Sequence, residues 1–259
     1  MKKTLIALAV AASAAVSGSA MAWDPSGTGG SVELGGTLTP QTKVTPWEIK
    51  IGAAVTNLNG FVQKGQQNVD VAVKTGIPVL GIRTQLKEAF NGRSGVAPQI
   101  DFKGAINTKN FSGSVTTLTL DVKNAQAQKI GRLQAPLFAG AEYSFKGYGK
   151  AGKLYMSGNN SGDAFYGGLG LNGQTIGSDV QARVRALDPQ YLANYNDQGA
   201  SYDGHAPTTN DFSDSNYSFS AYYGAGIEAN SKIKIALDTP AAADAIVWKA
   251  SLPVTVSYQ

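Results

Sequence analysis

The chain has 259 residues, of which 42% are hydrophobic and 15% charged, and it contains no cysteine. That is enough apolar material to bury the core of one large or two small domains, and too much for a disordered chain. Disulfides, thiol catalysis and cysteine–zinc sites are excluded. The formal charge is +4, but Lys2 and Lys3 sit in an export signal; without them 20 basic and 18 acidic residues remain. A net +2 with no Lys/Arg cluster argues against nucleic-acid binding.

Lys2 and Lys3 form a positive n-region, residues 5–16 an apolar h-region, and Ala20-Met21-Ala22 a small-x-small cleavage site. Residues 1–22 therefore read as a secretory signal peptide, with the mature chain starting at Trp23. The h-region is too short to span a membrane. Residues 23–30 are a Gly/Ser/Asp leader. GGSVELGGTLTP follows, with Val32, Leu34, Gly36 and Leu38 on one face of a strand pattern and Pro40 ending it. The remaining chain, 41–259, reads as one domain.

Strands are predicted over 47–52, 68–74, 77–83, 99–103, 114–122, 129–136 and 141–146, with turn signals such as Asn59-Gly60 and Asn91-Gly92 between them. Residues 84–90 (TQLKEAF) read as one or two helical turns. After residue 147 the character changes. Residues 149–177 are glycine-rich, 178–186 read as a helix capped by Ser178, and Asp188-Pro189 as the start of a second. Residues 197–215 are polar and loop-like. Ten of the eleven tyrosines lie between Tyr143 and Tyr223. Strands resume at 217–223 and 227–237. Thus an all-β chain carries a long insertion at about 148–215, and inserts of that length in compact domains are often functional.

The last stretch, IVWKASLPVTVSYQ, alternates throughout. Trp248, Ala250, Leu252, Val254, Val256 and Tyr258 share one face, and smaller or polar residues share the other. Termini are usually frayed and polar, so a terminus patterned this way is tied down or is read by a partner.

Few motifs point to chemistry. Gly168–Gly173 matches GxGxxG, but without the strand–turn–helix context a dinucleotide site needs it reads as a loop. His205 is the only histidine and lies in a polar loop, which excludes a histidine-rich metal site. No GxSxG nucleophile elbow is present. No catalytic, metal or cofactor residue is assigned, and the chain reads as a non-enzyme. The tyrosines suit either packing or a carbohydrate platform.

Several stretches resemble one family, the FaeG-type major fimbrial subunits of enterobacteria assembled by the chaperone–usher route. They are the signal MKKTLIALAVAASAAVSGS, then GGSVELGG, WEIKIG, IPVLGIRTQLKEAF with APQI, LDVKNAQAQKIG, DAFYGGL and the closing LPVTVSY. Ile246 stands where many pilins of the wider class carry glycine. The resemblance implies an incomplete immunoglobulin-like β-sandwich whose missing strand comes from the N-terminal extension of the next subunit. On that pattern residues 23–40 are the donor extension, inserting Val32, Leu34, Gly36 and Leu38. Trp248, Leu252, Val254, Val256 and Tyr258 belong to the acceptor strand, which a periplasmic chaperone would contact first. Implied partners are other copies in a filament, the chaperone, an outer-membrane usher and host-cell glycans. The implied location is the cell surface, reached through the periplasm; glycan-binding residues stay unassigned. The competing reading is an outer-membrane β-barrel, which shares the signal peptide, the Gly/Tyr content and an alternating last strand.

Overall fold

The structure is a computed structural model describing residues 32, 34–39, 44–242 and 244–259. The expected signal peptide, the leader and Pro40 lie outside these residues. The chain divides into two units, Met1–Lys43 and Val44–Gln259. In the first, residues 34–39 form no strand, and Val32, Leu34 and Leu38 are exposed. Their alternation is a strand pattern, but a glycine-containing segment without a ladder partner has little to hold it extended.

The second unit is built from antiparallel strands. In chain order they are β1 (Trp47–Ile51), β2 (Asn68–Ala72), β3 (Ile77–Thr84), β4 (Phe90–Asn91), β5 (Pro98–Asp101), β6 (Val115–Lys123), β7 (Lys129–Gly147), β8 (Lys150–Tyr155), β9 (Ser218–Ile227), β10 (Lys232–Leu237), β11 (Lys249–Ala250) and β12 (Thr255–Tyr258). Among the described residues there is a single α-helix, α1 (Val180–Leu187), in the segment between β8 and β9. The main path runs β1-β3-β9-β7-β10-β2; β6 and β8 pair with β7, β4 with β9, β11 with β6 and β12 with β5. The result is an all-β, immunoglobulin-like sandwich.

β7 is the spine. Its first half pairs with β6 and β10, and its second half with β8 and β9. The sequence predicts two strands here, broken after Pro136; one strand of 19 residues forms instead. The β10 ladder ends at Gln134 and the β9 ladder begins at Phe138, so the proline falls where the strand changes partner. A missing N–H costs least at such a point. Burial follows the same division. Residues 129–136 alternate in and out, whereas 137–144 are buried throughout, because the insertion covers their outer face.

Glycine makes that covering possible. Gly81, Gly224 and Gly140 lie side by side across β3, β9 and β7. A Cβ at Gly81 would collide with the Tyr191 ring; at Gly224 it would come within 2.5 Å of Val184, and at Gly140 within 2.6 Å of Val180. The row of missing side chains is a trough into which α1 and the 3-10 turn Pro189–Leu192 press. A small core of Phe138, Val180, Val184, Leu187, Tyr191, Leu192 and Tyr222 closes over it. The main core between the sheets includes an aromatic cluster of Trp47, Phe90, Phe165, Phe212 and Phe219, with neighbouring centroids 5.3–6.4 Å apart.

Local expectations are corrected at several points. Residues 85–88 are bends between β3 and β4 rather than helix, because Gln85 N–H bonds to Pro46 O (2.8 Å) and prolongs the β1 edge. α1 starts at Val180 after Asp179, which has a left-handed φ of 57° and no side-chain cap; Ser178 donates to the Asp179 carboxylate instead of capping. Asp188 does cap the 3-10 turn, accepting from Gln190 N–H at 2.9 Å. β8, hidden in the glycine-rich stretch, returns against β7 through Tyr148 and Gly149, both with positive φ. β9 runs on to Ile227, and β10 restarts only at Lys232.

Candidate functional site

The C-terminal stretch keeps the predicted period of two, but its apolar face is only half-buried. Trp248, Ala250, Leu252, Val254, Val256 and Tyr258 are all intermediate in exposure while packing on the main core, and the residues between them are exposed. Completed sandwiches bury the inner face of a strand. Here the face lacks a cover.

The backbone agrees. β12 pairs only with β5 and β11 only with β6, so among the described residues the other edge of this stretch has no ladder partner. Gln259 and Ala97 exchange both backbone hydrogen bonds (3.0 and 3.1 Å). In an antiparallel ladder such pairs recur every second residue, so Ser257 and Thr255 also bond towards β5. The N–H and C=O groups of Val254, Val256 and Tyr258 consequently point to the open edge. Burial alternates without a phase change from Trp248 to Gln259.

A second unpaired margin follows β1. Residues 53–63 carry no strand pairing, and only Leu58 and Val62 turn towards the core. An uncovered apolar face beside unpaired backbone is a template for an added strand.

The far side of β5 is closed by the insertion. Ile100 N–H donates to Tyr166 O (2.8 Å) and Phe165 N–H to Pro98 O (2.6 Å). The Gln99 amide donates to Asp163 O (2.9 Å) and accepts from Gly162 N–H (3.1 Å). Ser161 Oγ donates to the Gln259 side chain at 3.1 Å. β5 thus has no free edge to offer, and β12 does.

The insertion itself is fastened by tyrosines around one buried carboxylate. Glu142 is fully buried and opposes Tyr222 across the β7–β9 ladder. Its Oε2 accepts from Tyr202 Oη (2.6 Å) and Tyr222 Oη (3.3 Å), and Tyr202 also bonds Tyr155 (2.9 Å). Among the described residues Glu142 Oε1 and Tyr195 Oη are buried without a well-formed hydrogen bond. Burial and the adjacent carboxylate push the ionisation of Tyr195, Tyr202 and Tyr222 far above the usual tyrosine range. Two tyrosines remain presented to solvent. Tyr148 stands at the β7–β8 tip, 68% exposed and edge-on to Tyr217 at 5.4 Å; Tyr202 is 48% exposed beneath the Lys153 ammonium at 4.9 Å.

The other sequence signals have structural roles. The GxGxxG glycines let a loop lie against the core: a Cβ at Gly168 would come within 2.6 Å of Ile100 and 2.8 Å of the Tyr223 hydroxyl. His205 is exposed and pairs with Asp203 at 3.0 Å. Among the described residues no group of His, Cys, Asp or Glu has the arrangement of a metal site. None of their helices is long and apolar enough to cross a membrane. The glycine trough and the Glu142 cluster went unrecognised from the sequence. Their only trace there is the concentration of Gly and Tyr around residues 140–224.

The family model described as "Fimbrial, major and minor subunit" matches residues 1–259. The chain is 35% identical over 208 residues to K88 fimbrial protein AB of Escherichia coli, covering 71% of this chain and 70% of that one. It is 30% identical to the F41 fimbrial protein of Escherichia coli across the whole of both chains. K88 fimbrial protein AD matches at 36% over 201 residues, 66% of this chain and 65% of that one. These findings do not favour the β-barrel reading. Nor does the sheet, which ends at β1 and β2 where a barrel would close.

Proposed function

The chain belongs to the family of major and minor fimbrial subunits, and from that premise we propose that it polymerises by donor-strand complementation and also serves as an adhesin for host glycans. As a structural subunit it associates with copies of itself in a filament at the cell surface. The observation that carries the donor-strand reading is the half-buried face and open edge of Trp248–Tyr258. Val32, Leu34 and Leu38 of one copy fill the groove of the next, and Gly36 crosses its shallow point. Burying three such side chains contributes roughly 1.5–3 kcal/mol each. Each new ladder bond adds about 1 kcal/mol net.

Residues 1–22 direct export, residues 23–40 are the donor extension, and 41–259 form the pilin domain. In the periplasm a chaperone strand occupies the same open edge until the usher exchanges it. The glycan reading draws support from the insertion and from its solvent-facing Tyr148 and Tyr202, since aromatic faces stack on sugar C–H surfaces. Cells expressing a chain without residues 23–40 should export subunit but build no fibres, as judged by negative-stain microscopy. Normal fibres from that deletion would refute donor-strand assembly. Glycan-array binding by a self-complemented monomer tests the adhesin role, which fails if no glycan is retained.

A further inference from the structure

We infer that successive subunits meet through a second contact besides the donor segment: the exposed apolar pair Val44 and Leu86 of one copy seats against Ile246 and Val247 of the next. This rests on the donor-strand reading above, and it follows from chain length and from where the two ends of the domain lie.

Val44 begins the folded domain and is 79% exposed; Leu86 is 66% exposed. They are neighbours, because Gln85 N–H bonds to Pro46 O. The same end of the sandwich holds the chain's last residue. The Trp47 indole N–H donates to Val96 O at 2.6 Å, and the next residue, Ala97, pairs with Gln259. Trp248 lies eleven residues back along the extended terminal stretch, about 36 Å away at the usual strand rise. Ile246 and Val247, 37% and 71% exposed, therefore mark the opposite end.

Only residues 40–43 separate the donor segment from Val44. From Thr39 to Val44 the chain spans at most about 18 Å. Val44 of one copy must then lie close to the point where its extension leaves the neighbour's groove. If that point were the neighbour's Gln259 end, like ends would face each other. One surface would have to give and receive at once, and assembly would stop at pairs. Leaving at the Val247 end puts giving and receiving surfaces at opposite ends, so the contact repeats into an open filament. The donor then runs antiparallel to Trp248–Tyr258. Surface chemistry agrees with that end: Ile246 and Val247 offer exposed apolar area to Val44 and Leu86, whereas Asn160, Ser161 and Gln259, beside the other end of the terminal stretch, are exposed and polar.

The absence of native cysteine makes the test clean. Fibres carrying Leu86→Cys and Val247→Cys should oxidise to a ladder of covalent multimers, while either substitution alone leaves monomers on a non-reducing gel. Assembled fibres in which this pair does not cross-link, or in which Leu86→Cys joins Ser161→Cys instead, would overturn the contact. As a second measurement, Leu86→Glu and Val247→Lys should each shorten fibres severalfold and should restore their length when combined. Full-length fibres from both single variants would equally overturn it. Failure of the donor-strand reading is distinguishable, because it shows as intact fibres after deletion of residues 23–40.

Discussion

Leu34→Ala separates the stability of the filament from that of its subunit. Leu34 is 93% exposed within its own chain, so truncating it should change subunit unfolding by no more than about 0.5 kcal/mol. On the donor-strand proposal the same side chain fills, in the fibre, a groove lined by the half-buried terminal strand. A leucine truncated to alanine in a packed site costs about 2–5 kcal/mol, the lost transfer energy plus the cavity left behind. Each joint between subunits should weaken by roughly thirty-fold to a few thousand-fold. The assay heats purified fibres, follows release of monomer, and then follows unfolding of the released monomer. The variant should release monomer at a clearly lower temperature and unfold like the parent. Equal losses in both steps would show that Leu34 packs within its own subunit, and no loss in either would show that the groove does not take it.

Tyr202→Phe removes the shortest bond to the buried Glu142 carboxylate and should lower subunit stability by about 1–3 kcal/mol, measured by denaturant midpoint. Unchanged stability would mean that the hydroxyl exchanges freely with water. Gly224→Val should destabilise further by forcing Val184 off the sheet, and limited proteolysis should cut first between β8 and β9; uniform resistance would contradict the glycine trough. Tyr191, Tyr195, Tyr202, Tyr222 and Tyr223 all ionise above the usual range because burial penalises the phenolate. Raised values favour the protonated fold. Stability is therefore intact below the unfolded tyrosine pKa of about 10 and falls as pH rises beyond it. Tyrosinate absorbance should rise in two stages, the second coinciding with unfolding, whereas a single smooth titration would contradict the burial.

Much of the sheet was legible because period-two alternation survives wherever one face meets solvent, as in β6, β10 and the terminal stretch. It failed where the insertion covers the second face. β7 and β9 are buried on both sides there, so alternation vanishes and a 19-residue strand reads as two. Glycines 81, 140 and 224 resemble strand breakers in sequence, and only pairing shows that they align into one trough. The terminal stretch alternates as its sequence predicts, but that its apolar face is only half-buried appears first in the structure. No sequence pattern distinguishes a face covered by its own chain from one awaiting another copy. The Glu142 cluster draws on residues 142, 155, 195, 202 and 222, whose convergence is a product of the fold.

The central claim is that a neighbour's strand closes the open edge of the terminal stretch, and residue-resolved amide hydrogen exchange in assembled fibres tests it with an internal control. Thr255 and Ser257 bond to β5 within the subunit, whereas Val254, Val256 and Tyr258 point the other way. Donor-strand assembly predicts that both series exchange slowly in the fibre. Rapid exchange at Val254, Val256 and Tyr258 beside slow exchange at Thr255 and Ser257 would contradict it.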